Sequence, residues 1–236
     1  MPHRRNRGPR GDLDLERVLD AGEALLANGA PDRVSIRAVA AFLDVAPNAL
    51  YTYVSSKAEL HQRLADRGLA RIDLESLAAG AGTPADRLLA FAVEARHTLL
   101  AHPGVLRILA TTPVRGPASV ALNEALLQTC RDGGLDLAGA RSLIYALTVF
   151  LHGYLFLEIG DRERDQEPEP FDVDLSTAPL TARMAHLPWD PAGEFARGVR
   201  ALLSGHGLPA QADSHEASAD TDRPGHREVA GPDRAG

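Results

Sequence analysis

Apolar residues recur along this chain at intervals of three and four, the spacing that lines them up on one face of an α-helix. Leu15, Val18, Leu19, Leu25 and Leu26, with small Gly22 between them, define a first helix, started by Asp12 or Asp14 and stopped at Asn28-Gly29. A second begins behind Ser35 as N-cap, with Val34 and Val39 placed as a hydrophobic staple, and runs to about Leu43. After Asp44-Val45-Ala46 a third starts at Pro47, whose missing N–H has no partner in a first helical turn anyway, and extends to near Val54. Ser56 to Glu59 spell a capping box, so a fourth helix starts at Lys57 and carries Leu60 and Leu64 on one face to about Leu74.

Beyond the break at Gly80 to Thr83, Thr83-Pro84 opens a long amphipathic helix. His102-Pro103-Gly104 precedes a short helix over VLRILA, and Thr111 to Pro117 forms a loop. Further helices span about residues 118–131, 137–159 and 191–203, with a short one around 181–186 after the acidic, proline-containing loop 161–176. The helix 137–159 is apolar on more than one face and needs cover on several sides, which a second subunit would supply. Arg141, His152 and Gly153 interrupt it, so no stretch is read as a membrane span. The expected fold is all-α: a flexible arm 1–12, a helix-turn-helix domain 13–65, a larger helical domain 66–204 and a disordered tail 205–236.

Composition supports the helical reading: aromatics are only 5% of the 236 residues, Ala and Leu are abundant, and long β-branched runs are absent. A single cysteine, Cys130, excludes an internal disulfide framework and is expected to be a reduced, buried thiol. The start MPHRRNRGPR has no apolar core behind its charges, so it is no secretory signal, and a cytoplasmic protein is expected. The net charge of -7 argues against nucleic acid only until its distribution is examined. Eight basic and eight acidic groups balance within residues 1–60, and the arm holds Arg4, Arg5, Arg7 and Arg10 with no acid among them.

Lys57 is the only lysine in the chain, and it sits at the electropositive end of a helix. An anion in front of that helix, such as a phosphate, resolves the conflict. The third helix places Leu50 and Val54 inward at i and i+4 and leaves Asn48, Tyr51 and Thr52 for other faces. Asn pairs bidentately with adenine, Thr hydrogen-bonds a base or touches a thymine methyl, and a Tyr hydroxyl or an arginine such as Arg37 reaches phosphate. Surface solvation of Arg37 and core packing of Tyr53 are the competing readings.

The run SIRAVAAFLDVAPNALYTYVSSKAEL resembles the DNA-binding domain of the TetR family of tetracycline-repressor-like regulators, over about residues 13–65. By that resemblance Pro47, Asn48, Ala49, Tyr51 and Thr52 fall on the recognition helix, with Tyr53 and Lys57 at or near phosphate-contact positions and Arg37 on the helix before. Family members commonly have glycine in the turn where this chain has Asp44, a residue that tolerates the left-handed conformation. The later segments LRILATTPVRGP and HGYLFLE resemble the family's effector domain more loosely. The resemblance implies a homodimer through helices 137–159 and 191–203, a palindromic DNA operator, a small-molecule effector and a cytoplasmic repressor that is nucleoid-associated when on DNA.

Within that second domain Phe91, Asn123, Tyr145 and Thr148 are candidate effector contacts, as isolated polar or aromatic groups on apolar helices, with core packing as the alternative. Matching LATTP to the family's loop puts Ile108 where tetracycline repressors have a magnesium-binding histidine, so a metal-chelated drug is not the expected ligand. His97, His102 and His152 form no HExxH-like pattern, and no metal or cofactor is expected. No Ser/His/Asp arrangement, glycine-rich phosphate loop or nucleophile elbow is present, so no enzyme activity is expected. A dimeric small-molecule-binding protein with a vestigial DNA-binding head is the alternative, resting on Asp44 and the acidic first helix.

Overall fold

The computed structural model describes residues 13–27, 31–78, 82–163, 175–184 and 186–208; the arginine arm, most of the acidic loop and the tail after Leu208 lie outside the described residues. Helices and 3-10 turns, and no strand, make up the regular structure among those residues. Four helices build the head: α1 Leu15–Ala27, α2 Ile36–Phe42, α3 Pro47–Leu50 and α4 Lys57–Leu69. Val18, Val34, Val39, Leu50, Leu60 and Leu64 close over one another as its core, each fully buried. A side chain at Gly22 would meet Leu64 at 3.0 Å, so α1 and α4 approach closely because that position is bare.

Local chemistry sets the boundaries. Ser35 Oγ accepts the N–H of Ala38 at 3.2 Å, and Val34 and Val39 bury together as the staple. The end of α2 is a Schellman turn: Val45 N–H donates to Ala40 O at 3.0 Å and Asp44 N–H to Ala41 O at 3.3 Å, with Asp44 at φ 53°. Asp44 thus occupies the left-handed position where glycine is the easier residue, at a cost of about 1 kcal/mol.

Two expected boundaries shift and one cap forms only in part. The third helix is four residues long rather than eight, because Tyr53 N–H turns back to Leu50 O and the chain leaves as a tight turn. The capping box at Ser56 is half formed: Ser56 Oγ accepts Glu59 N–H at 3.1 Å, but the Glu59 carboxylate accepts Ser55 N–H and Ser55 Oγ–H instead of the cap's own amide. Finally, α4 stops at Leu69 because i→i+3 bonds to Gly68 O and Leu69 O tighten its exit, and Asp73 Oδ1 starts a separate turn, α5 Glu75–Ala78, by accepting Glu75 N–H.

The body contains α6 Pro84–Ala101, α7 Pro103–Leu109, α8 Pro117–Asp132, α9 Leu137–Glu163, α10 Pro179–Met184 and α11 Pro191–Gly205. Its core joins Leu88, Ala95, Cys130, Leu143, Phe195 and Leu203. Burial of the Cys130 thiol pushes its pKa up to about 11 and leaves it without thiolate reactivity at neutral pH. Thr83 and Asp86 form a complete capping box at α6. At the other end of the body, α11 also closes in a Schellman turn, with Gly207 at φ 83°, and Leu208 returns into the core. Ordered packing therefore runs past residue 205, where a disordered tail was expected to begin.

The expectation that no stretch approaches a membrane span also needs correction. Leu137–Arg162 is long and apolar enough to cross a bilayer, and only 22% of its most apolar window is buried within the chain. Inside the fold one face of α9 packs against α6, α8 and α11, and Glu158 is buried in a fork with Arg96 Nε at 3.0 Å and Arg96 Nη2 at 2.5 Å. The opposite face exposes Tyr145, Val149, Phe156 and Leu157.

Candidate nucleic-acid interface and ligand cavity

The reading surface starts with two anchors. Leu50 and Val54, one turn apart, lie in the head core, and this turns Pro47, Asn48, Tyr51 and Thr52 outward. Tyr51 is 54% exposed, Ala49 is half-buried and Arg37 projects to solvent from the first turn of α2. Lys57 occupies the first position of α4, its Nζ donating to Asp32 O at 3.2 Å with the Asp32 carboxylate at 3.8 Å. Both side chains are exposed, so this is a weak, solvent-screened partnership. Beside it, hydrogen bonds from the Ser55 hydroxyl and then the Ser55 amide, followed by Arg63, lower the Glu59 pKa to about 2.

Tyr53 has a different task from the one the resemblance implies. It is half-buried against the head core, and its hydroxyl donates at 2.5 Å to Leu13 O, just before α1. A phenol has one proton, and here it is committed, so Tyr53 leaves the set of phosphate donors and acts as a tether for the start of α1. The acids of α1 are likewise engaged: Asp20 pairs with Arg67 at 2.6 Å and Glu23 with Arg71 at 2.7 Å, and Glu16 lies 3.7 Å from Arg67. Arg67 on α4 and Arg71 just beyond its end thus neutralise the acidic helix, and Asp44 forms its turn. Both grounds for a vestigial head are answered by these contacts.

The same helix connects the head to the body. Asp66 on α4 accepts the N–H groups of Ser119 at 2.9 Å and Ala118 at 3.2 Å, capping the start of α8 from outside. Any Cβ at Gly116 would collide with that carboxylate, which is why the residue before Pro117 is bare. Three residues further, Leu69 at the end of α4 lines a partly open cavity of about 260 Å³ between α6, α8, α9 and α11.

Leu122 and Leu126 of α8, Ile144 and Leu151 of α9, and Phe91 and Phe195 supply much of the cavity wall. Its polar contributions are Thr112, Thr148 and His152, and among the described residues no charged side chain lines it. Of the four candidate contacts, Phe91 and Thr148 line the cavity. Asn123 and Tyr145 are exposed and do not, so those two assignments are corrected. The reason is rotational: each follows a wall residue, Leu122 or Ile144, by one position, which turns it about 100° away. Sequence reasoning missed His152, although its i+4 relation to Thr148 was visible. Ile108 is fully buried in the head core.

Residues 18–64 match the model for the bacterial regulatory proteins of the tetR family, and residues 78–212 match that for the tetracyclin repressor-like C-terminal domain. The chain belongs to the TetR family. The HTH-type transcriptional repressor DrrR1 of Streptomyces coeruleorubidus is 32% identical over 70% of this chain and 60% of its own length. An HTH-type transcriptional regulator of Saccharopolyspora erythraea is 26% identical over 65% of this chain and 64% of its own. The chain thus spans less than two thirds of the length of these curated relatives. Among solved structures, a possible TetR family transcriptional regulator from Streptomyces coelicolor A3(2) shares 26% identity at a TM-score of 0.69, covering 81% of this chain and 98% of that one. ActR from the same species, solved with actinorhodin, shares the fold at 20% identity and a TM-score of 0.69, covering 82% and 96%. Membership of the TetR family is membership of a family of transcriptional regulators.

Proposed function

We propose that two copies of this chain form a TetR-type regulator that binds a palindromic DNA operator and is released from it by a small molecule held in the apolar cavity. The observation that carries this reading is the continuity of α4. One helix begins with Lys57 on the reading surface and ends with Leu69 in the cavity wall, about 20 Å apart, and grips α8 through Asp66. A ligand that moves α8 therefore pulls on α4, and with it the angle at which Asn48, Tyr51 and Thr52 meet a major groove. Binding favours the geometry in which the ligand fits, and the operator favours the other.

In this reading Asn48, Tyr51 and Thr52 face base edges, with Pro47 and Ala49 fitting α3 to the groove, and Arg37 and Lys57 hold phosphates on either side. The dimer forms through α9 and α11. The exposed Tyr145, Val149, Phe156 and Leu157 support this, since an apolar stripe on a half-covered helix is stabilised by a second copy. The protein acts in the cytoplasm, associates with the nucleoid when on DNA, and binds its effector without turnover, since among the described residues the cavity lining presents no paired nucleophile and base. Selection of bound fragments from random duplex DNA by the purified full chain tests the reading. The expected result is an enriched inverted repeat bound in a salt-sensitive complex; the absence of any enriched motif at low ionic strength would refute it.

A further inference from the structure

We infer that the cavity selects a neutral aromatic compound bearing a hydroxyl group, and that His152 is the residue that reads the hydroxyl. This rests on the reading of the cavity as the effector site. His152 Nδ1 lies 2.8 Å from Thr148 O, and a carbonyl only accepts, so Nδ1 carries the ring proton. Nε2 of the neutral imidazole is then a bare acceptor. It has no hydrogen-bond partner and is covered by neighbouring atoms, and His152 is among the residues that line the cavity, so a guest that displaces this cover meets an unpaired acceptor.

Thr148 repeats the arrangement one turn earlier. Its hydroxyl proton is donated to Ile144 O at 2.8 Å, so only its lone pairs remain for a ligand. The polar groups that α9 offers the cavity are therefore acceptors, and a guest must bring the donor. The rest of the wall dictates the remainder of the molecule. With no charged lining among the described residues, a carboxylate or ammonium guest would lose its hydration without compensation. The buried ion pair of Arg96 with Glu158 is joined by Arg162, which donates to the same carboxylate at 2.8 Å, and Arg96 lies 5.7 Å from the Phe195 ring centre. Phe91 and Phe195 supply aromatic carbon to the wall, where a flat aromatic guest gains burial and ring-edge contacts. A volume of about 260 Å³ lies just below the range of roughly 300–1,000 Å³ typical of drug-sized ligands, and suits a compound of two or three fused rings.

The test uses 2-naphthol and 2-methoxynaphthalene, which differ in the donor proton and share the ring system. Binding of each to the full-length protein without DNA is measured by titration calorimetry. The native chain is expected to hold 2-naphthol about tenfold or more tightly over the ether, because the ether leaves the buried Nε2 unpaired. His152→Phe keeps an aromatic ring and removes the buried acceptor; it is expected to lose most of the preference, Thr148 Oγ remaining as the lesser acceptor, its fold verified by its melting curve. Equal affinity of the native chain for the two probes, no binding of either, or a preference undiminished in H152F would each overturn the inference. If 2-naphthol binds with the expected preference but leaves DNA affinity unchanged, the cavity chemistry stands and the effector role falls.

Discussion

Replacing Lys57 by alanine tests the link between the head and DNA most directly. In the free protein the ammonium pairs with Asp32, 3.2 Å from its carbonyl and 3.8 Å from its carboxylate, both partners in solvent. Such a pair is worth about 0–1 kcal/mol. A charge-assisted contact to phosphate is worth about 1.5–3 kcal/mol, so the phosphate takes the lysine from Asp32 when DNA arrives. A bound dimer carries two copies of Lys57, and each phosphate neutralised steepens the dependence of log K on log salt by about 0.9. Lys57→Ala should therefore flatten the slope by about 1.8, so that between roughly 50 and 200 mM salt the variant loses about twelvefold less affinity than the native chain. Fluorescence anisotropy on a selected duplex and on an unrelated one measures both slopes. The change should be alike on the two, since phosphate contacts carry no sequence information. Asp32→Ala should tighten binding without altering the slope. An unchanged slope in K57A would refute the phosphate assignment.

Other consequences follow from the same contacts. Asp66→Ala removes two acceptors at the start of α8 and should cost about 1–2 kcal/mol in denaturant unfolding, while Asp66→Asn recovers part of the loss; equal stability of all three proteins would show the cap to be idle. Tyr53→Phe should cost about 1 kcal/mol and leave the salt slope of DNA binding unchanged, whereas a flattened slope would return Tyr53 to the phosphate contacts. Because the Glu59 carboxyl is held near pKa 2 in the fold against an ordinary 4.5, its stabilisation is complete above about pH 4.5 and is lost as pH falls towards 2. Glu59→Gln should lack that component, which urea titrations across the interval would detect as a shallower acid limb. Tyr145→Glu on the open face of α9 should shift the mass measured by light scattering from dimer to monomer; a persistent dimer would place the interface elsewhere.

How much of this was written in the chain depends on how local the cause is. Ser35 and Thr83 mark helix starts through hydrogen bonds within a single turn, and Pro47, Pro84 and Pro191 through a fixed φ and a missing N–H, so these signals survive in one dimension. The buried pair Leu50 and Val54 is likewise a spacing, and Asp44 could be recognised as a residue able to replace glycine in a left-handed turn. Which side of a helix meets which neighbour is not local. Ile144, Tyr145 and Thr148 look equally apolar or isolated along α9, and only the positions of α6, α8 and α11 decide that Thr148 faces the cavity while Tyr145 faces outward.

The same division separates the two sites. The amino acid sequence by itself determined an all-helical chain with a reading helix and one cation at a helix start, because periodicity, capping and the charge of single residues act over a few neighbours. The tertiary structure decided that Tyr53 ties down Leu13, that Arg67 and Arg71 neutralise α1, that Asp66 caps α8 across 53 positions, and that His152 keeps a buried, unpaired ring nitrogen beside an apolar cavity. Each of those contacts is a meeting of groups on different elements or a burial produced by several, and no periodicity along the chain encodes the direction in which packed helices bring them together.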